Sequence, residues 1–120
     1  MRSLKFRAWA NGYEKWCHHI EYMGDGLWLG YIDDGIGELS TTDIIVEQYT
    51  GLKDTNGKEI YEGDIVSYRG NNYQIKWCEA SFAYIASSKN QYYWLSPSKS
   101  TVFEVIGNIH ENPELLEAKE

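Results

Sequence analysis

The triplet Cys17-His18-His19 brings together two residue types that coordinate zinc, a thiol and an imidazole. In a strand, however, neighbouring side chains point to opposite faces, so that only Cys17 and His19 could share a site. Further ligands would have to come from Cys78, His110 or an acidic residue, and the chain lacks the two-plus-two ligand spacing of zinc sites. We therefore expect no metal and no cofactor.

A nucleophilic enzyme would need one of the two cysteines or a serine beside a base and an orienting acid. The sequence contains neither a nucleophile elbow nor a glycine-rich phosphate loop, and Gly24-Asp25-Gly26 lacks the continuation that either would require. We predict no catalytic residues. An enzyme with a dispersed active site is the third and least favoured class.

Charged residues crowd a central stretch of the chain, at Asp54, Lys58, Glu59, Glu62 and Asp64. They lack the alternating acidic spacing of a calcium loop. We expect them to cap turns, with Asp54 accepting backbone hydrogen bonds in an Asx turn.

The same stretch carries three turn signals, at Thr50-Gly51, Asn56-Gly57 and Glu62-Gly63-Asp64. Asn-Gly favours a two-residue hairpin turn in which both residues have positive φ. Leu52, Ile60 and Tyr61 are expected to fold back and anchor the loop. The pattern predicts a shaped loop that leads into a strand.

Alternating apolar residues predict a strand at Leu4–Trp9, with Tyr13–Tyr22 as its partner in an opening hairpin. One short strand is expected between Met23 and Ser40, with a loop at Asp33–Gly37, and another strand begins at Ile44. Further strands are predicted at Ile65–Arg69, Tyr73–Cys78, Phe82–Ser87, Tyr92–Ser96 and Val102–Ile109. Ser96–Ser100 is interpreted as a loop, and Asn112-Pro113 as the N-cap and first position of a short helix that ends near Ala118.

The 120 residues are enough for one domain or two small β units, and the closely spaced short strands suggest a small barrel or sandwich. We predict an N-terminal β subdomain at residues 1–49, a barrel at 50–110 and a tail at 111–120. The chain shows neither a secretion signal nor a long apolar run, which predicts a cytoplasmic protein without membrane contact and with reduced cysteines. A net charge of -7 disfavours sequence-independent binding to duplex DNA.

Three blocks of the sequence resemble the YopX family of phage and prophage proteins: Phe6–Trp9, Gln48–Tyr68 and Val105–Leu116. The resemblance covers nearly the whole chain, and the blocks follow in the family's order. It implies a mainly β fold in which an N-terminal β-hairpin region packs with an SH3-like small barrel and a short C-terminal helical turn follows. It implies no activity, since the family is a domain of unknown function.

Two sets of residues are the candidate sites. The first is the family-motif loop, which is either structural or a contact surface: Tyr49, Thr50, Gly51, Leu52, Asp54, Asn56, Gly57, Ile60, Tyr61, Gly63 and Asp64. The second is a contact surface formed by Arg7, Trp9 and Tyr93, because alternation within Tyr92-Tyr93-Trp94 sends Tyr93 to the face opposite its neighbours.

The function predicted from these features is that of a non-enzymatic phage or prophage accessory protein with a host or phage protein as its partner. The alternative is a nucleic-acid-binding barrel, which would gather Lys5, Arg7, Arg69, Lys76 and Lys89 on one face beside exposed rings. The sequence leaves homo-oligomer formation open.

Overall fold

The computed structural model describes residues 5–32 and 37–117. Contacts divide the chain into two compact units, one containing residues 5–48 and the other the residues from Tyr49 onward. No helix in the described ranges is long and apolar enough to span a membrane.

The first unit contains five strands and the beginning of a sixth: β1 (Phe6–Ala10), β2 (Lys15–Trp16), β3 (His19–Gly24), β4 (Leu27–Ile32), β5 (Gly37–Leu39) and β6 (Ile44–Lys53). β1 pairs antiparallel with β2 and with the first half of β6. β3, β4 and β5 form a three-stranded antiparallel sheet. Their apolar faces enclose a core of small and branched residues, Ala8, Ala10, Ile32, Leu39 and Ile44.

The predicted opening hairpin is wrong in its second strand. Only β2 pairs with β1, and the chain then changes partner: the N–H of Cys17 donates to Ala8, whereas the N–H of His18 donates to Tyr31 of β4. The next residues form β3, which pairs with β4, so the region Met23–Ser40 holds two strands beyond β3 where one was predicted. Most of the predicted loop at Asp33–Gly37 lies outside the described residues.

The second unit contains the rest of β6 and six further strands: β7 (Glu59–Tyr61), β8 (Asp64–Tyr68), β9 (Asn71–Cys78), β10 (Ala83–Ser87), β11 (Tyr92–Trp94) and β12 (Glu104–Asn108). β7 pairs with the second half of β6. The other five form an antiparallel sheet in the order β11-β10-β9-β8-β12. The predicted mainly β fold is therefore confirmed.

The described residues contain three short helical segments: a 3-10 turn at Thr41–Asp43 and two segments that differ in detail from the prediction. Ser96–Ser100 is not a loop: Pro97–Ser100 forms one helical turn, α1, because the Ser96 hydroxyl accepts the N–H of Lys99 at 3.2 Å. Asn112 and Pro113 take the predicted N-cap and first positions of the next turn, which is a 3-10 turn at Pro113–Leu116, but the Asn112 side chain forms no capping hydrogen bond with it. Its side chain instead turns back and accepts the N–H of Asn108 at 3.2 Å.

The core of the second unit is built from side chains of strands that alternate inward, together with Phe103 just before β12. It comprises Ile60, Val66, Tyr73, Ile75, Tyr84, Ala86 and Phe103. Burying an apolar side chain of this size stabilises the fold by about 1.5 to 3 kcal/mol. On the outward face of this sheet, Lys76, Tyr92 and Trp94 are exposed.

Candidate functional site

The beginning of the family-motif loop is a β-bulge in β6. Tyr49 pairs with Tyr61, and the pairing register shifts before Lys53 meets Glu59. Gly51 permits the bulge because it adopts a φ of 89°, which is unfavourable for residues with a Cβ atom. Thr50 lies in β6, and its hydroxyl donates to the carbonyl of Ile60 in β7 at 2.7 Å.

Asp54 organises the tip of the loop, as the Asx-turn prediction requires. Its Oδ1 accepts the N–H groups of Asn56 and Lys58, both at 2.8 Å. Its Oδ2 accepts the N–H of Val105, in β12, at 2.9 Å. A single buried carboxylate thus holds the loop closed and joins it to the five-stranded sheet.

The hydrogen bonds also set the ionisation of this carboxyl group. Burial by itself would raise the pKa of Asp54, but the N–H groups of Val105, Lys58 and Asn56 stabilise the charged form, and the pKa lies below its ordinary value. Asp54 is therefore ionised at neutral pH.

The predicted two-residue turn at Asn56-Gly57 is wrong. Only Gly57 has positive φ, at 81°, and the loop comprises five residues, Asp54 to Lys58. The N–H of Gly57 donates to the carbonyl of Asp54 at 3.0 Å, and the N–H of Asp54 donates to the carbonyl of Lys58 at 2.8 Å. The Asp54 side chain supports this longer loop, so that a tight turn is not needed.

The end of the motif is equally well tied to its surroundings. Buried Asp64 accepts the N–H of Tyr61 at 2.8 Å. Gly63 donates to the carbonyl of Ile75 and accepts the N–H of Ile109, both at 2.9 Å. Ile60 is fully buried, whereas Tyr61 is half-buried against the ring of Tyr49. The polar residues Thr50, Asp54 and Asp64 of the motif thus form hydrogen bonds within the fold.

The bulge also forms one wall of a surface groove of about 410 Å³, which falls within the usual range of ligand sites, about 300 to 1,000 Å³. Its lining residues on the bulge are Thr50, Gly51 and Leu52. The others come from β9, β10 and the segments that border them: Trp77, Phe82, Ala83, Tyr84 and Leu95. Apart from Thr50 and Gly51, the lining residues are aliphatic or aromatic.

Phe82 is the most exposed large apolar side chain in the described part of the protein, with 82% of its surface accessible. It also has a φ of 49°, in the left-handed region that a bulky residue rarely adopts. Its N–H donates to the carbonyl of Glu79 at 3.3 Å, which closes the turn between β9 and β10. Nothing in the core requires this ring.

Trp77 gives the groove a second exposed ring, with 44% of its surface accessible. It pairs across the strands with Tyr84, and their ring centroids lie 5.0 Å apart in an edge-on arrangement. Because Tyr84 is buried, it fixes the position of Trp77 at the rim. The groove thus presents a preformed aromatic surface.

The structure shows the surroundings of each of the three residues predicted as a contact surface. Trp9 is buried, with 4% of its surface accessible, and packs edge-on against Trp16. Arg7 forms an ion pair with Glu47 at 3.0 Å, and its guanidinium lies over the ring of Trp16. Alternation correctly separates Tyr93 from its neighbours, but Tyr93 is the ring that faces inward.

The residues considered for zinc or for nucleophilic catalysis are dispersed. Among the described residues, no three histidine, cysteine or acidic side chains lie close enough to hold a metal ion. Both cysteines are free thiols. Burial raises the pKa of Cys17, while the hydroxyl and backbone N–H of Ser81 lower the pKa of Cys78.

The sequence did not identify Trp77, Phe82 or Tyr84 as candidate site residues. The available signal was the position of Phe82 at the end of a short turn, where a large apolar side chain has little core to enter. Leu95 gave no signal, since it joins the groove only through the packing of β10 against β11.

Comparison with known proteins agrees with the family blocks of the sequence. The family model described as YopX protein matches residues 5–117. The chain is similar to protein EF1440 from Enterococcus faecalis, a crystal structure with 26% sequence identity and a TM-score of 0.62, covering 98% of this chain and 100% of that one. A comparison with curated proteins finds no match.

A second crystal structure, protein yopX from Bacillus subtilis, is similar over 100% of both chains, with a TM-score of 0.57 and 18% identity. At this identity the likeness concerns the fold alone.

Proposed function

The chain belongs to the YopX protein family, and on that premise we propose that it is a non-enzymatic binding module of phage or prophage origin. It acts in the cytoplasm of the bacterial host by contacting a protein of the host or the phage. The contact surface is the groove between the β6 bulge and the rings of Trp77 and Phe82.

The exposure of Phe82 is the observation that supports this proposal. An apolar ring with 82% of its surface in water contributes little to folding. The backbone of Phe82 also adopts a left-handed conformation that is unfavourable for a bulky residue. Large exposed rings beside a preformed groove are typical of protein contact surfaces, where aromatic residues carry much of the binding energy. In this role the ring is useful only once the partner covers it.

A protein partner accounts for the groove better than nucleic acid does. The groove is lined by aromatic, aliphatic and backbone groups without a basic side chain, and the chain carries a net charge of -7. Nucleic-acid binding draws on lysine and arginine to replace counterions. Of the residues proposed for that alternative, Arg7 is already paired with Glu47.

The test is affinity capture from an extract of phage-infected host cells, comparing wild type with Phe82→Asn. Asparagine tolerates positive φ, so this variant removes the ring without a backbone penalty. The matched control is Val102→Asn, which removes another exposed apolar side chain of the same unit, outside the groove.

We expect wild type and Val102→Asn to retain the same host or phage protein and Phe82→Asn to lose it, and we expect neither variant to melt below wild type, since both substitutions lie at exposed positions. Identical capture by all three would contradict the proposal. Binding to a single-stranded oligonucleotide that weakens steeply with salt would favour the nucleic-acid alternative instead.

A further inference from the structure

Strand β11 is an open edge of the five-stranded sheet. It pairs with β10 on one side, and no strand in the described part of the chain pairs with its other side. β11 itself contains no proline, charge or bulge, the features that natural edge strands use to prevent further pairing. The edge is thus chemically able to accept another strand.

The hydrogen-bond pattern shows which backbone groups are available. The N–H of Ser88 donates to Gln91 and the N–H of Leu95 donates to Tyr84, both at 2.9 Å. In an antiparallel ladder such bonded pairs recur at every second residue. Gln91, Tyr93 and Leu95 therefore bond to β10. Tyr92 and Trp94, which alternate with them, direct their N–H and C=O groups away from β10.

The same two residues expose their side chains. Tyr92 has 58% of its surface accessible and Trp94 has 60%. They lie on the outer face of the sheet, two residues apart, so a strand added beside β11 would place apolar side chains against them. The outer face of β11 therefore suits an added strand that has apolar residues at alternate positions.

The inner face of the edge carries a positive charge. Tyr93 points inward, and the ammonium group of Lys99 lies 4.8 Å from its ring centroid and 4.8 Å from that of Tyr68. Lys99 is half-buried and also contacts the hydroxyl of Tyr68 at 3.3 Å. Among the described residues, no carboxylate is paired with this ammonium group.

We propose that β11 binds an extended segment of another protein as an additional strand, with an acidic residue opposite Tyr93 and apolar residues opposite Tyr92 and Trp94. The acidic side chain lies on the inner face, where its carboxylate pairs with the ammonium group of Lys99. The backbone of the segment forms up to four hydrogen bonds with the two outward-directed residues. None of these residues lines the groove of the proposed function, so this is a second and independent site.

The probe is the peptide acetyl-Ser-Val-Glu-Val-Ser-amide with a fluorescent label, and its affinity for the purified protein is measured by anisotropy at 0.15 M salt. Replacing Lys99 by Met keeps the length of the side chain and removes the charge. We expect Lys99→Met to weaken binding about tenfold, the effect of losing one charge-assisted hydrogen bond. Lys89→Met, in the exposed β10–β11 turn, is the matched control and should change the affinity less than about twofold.

Two modified peptides separate strand addition from simple charge attraction. N-methylation of both valines removes the N–H groups that face β11 and should abolish binding, whereas N-methylation of the glutamate, whose N–H faces away, should leave the affinity unchanged. A peptide with glutamine in place of glutamate should bind wild type and Lys99→Met equally weakly.

Three results would overturn the proposal. The first is a valine-methylated peptide that binds as well as the parent peptide. The second is that the purified protein binds ten-base oligothymidine but does not bind the peptide. The third is a dimer, detected by sedimentation, that dissociates on Trp94→Ser while the peptide does not bind, since the occupant would then be a second copy.

Discussion

Replacing Asp54 tests whether one carboxylate organises the central loop. Asp54→Ala removes the acceptor of three backbone N–H groups, those of Asn56, Lys58 and Val105. Asp54→Asn is the milder change, because the amide oxygen can still accept the N–H groups of Asn56 and Lys58. The amide NH₂ group then faces the N–H of Val105, and two donors cannot form a hydrogen bond.

The expected loss follows from the number of bonds. A hydrogen bond to an ionised group contributes about 1.5 to 3 kcal/mol. Because the three bonds share one carboxylate and are not additive, we expect Asp54→Ala to lower the free energy of unfolding by about 3 to 5 kcal/mol and Asp54→Asn by about 1.5 to 3 kcal/mol. Either loss is a large fraction of the stability of a small domain, about 5 to 15 kcal/mol.

The pH dependence has a defined sign. The pKa of Asp54 is lower in the folded protein than in the unfolded chain, where it is about 3.9. The unfolded state therefore binds the proton more readily, and the stabilisation is present above that pKa and is lost as the pH falls through the folded-state pKa. Wild type should lose more stability than Asp54→Asn when both are acidified below about pH 5.

Urea unfolding of the three proteins at a series of pH values measures both effects. The loop's dependence on Asp54 would be refuted if Asp54→Ala unfolded within about 0.5 kcal/mol of wild type, the usual range for a surface substitution. An identical acid dependence in wild type and Asp54→Asn would refute the assignment of the charge.

Three further predictions concern other positions. Gly57→Val should lower the free energy of unfolding by about 1 to 2 kcal/mol through its φ of 81° alone, since no atom lies within 4 Å of the added Cβ, and Gly57→Asn should cost less in the same denaturation assay. Alkylation without reductant, followed by mass spectrometry, should modify both thiols and modify Cys78 before Cys17, because their pKa values are lowered and raised respectively. Gly107→Ala should cost about 1 to 3 kcal/mol, since its Cβ would lie 2.5 Å from Oδ1 of Asn112, and adding Asn112→Gly should recover part of that loss in thermal melts.

The division of the chain into units is also open to test. The sequence predicts a boundary after residue 49, and contacts separate residues 5–48 from those that follow. The division into subdomains stays a prediction, as does the likeness of the second unit to an SH3 barrel. Circular dichroism of the fragment 49–120 measures the first of these directly.

Local chemistry decided the features that the sequence predicted well. β8, β9 and β10 lie within one or two residues of their predicted limits, because turn residues bound short β-branched and aromatic runs. Asp54 was predicted as an Asx turn because the bonds to Asn56 and Lys58 are formed within five residues. Its third bond, to Val105, was invisible in the sequence because 51 residues separate the two.

Tertiary packing decided which side chains are exposed, and hence where a partner could bind. Alternation placed Tyr93 opposite Tyr92 and Trp94 but could not say which face the core would occupy, and the rings of Tyr68, Tyr73 and Phe103 place Tyr93 inside. Trp9 is buried, although its sequence neighbours indicate only a half-buried strand. Alternation along a strand determines which residues share a face. Which of the two faces is buried depends on the strands and loops that pack against that strand.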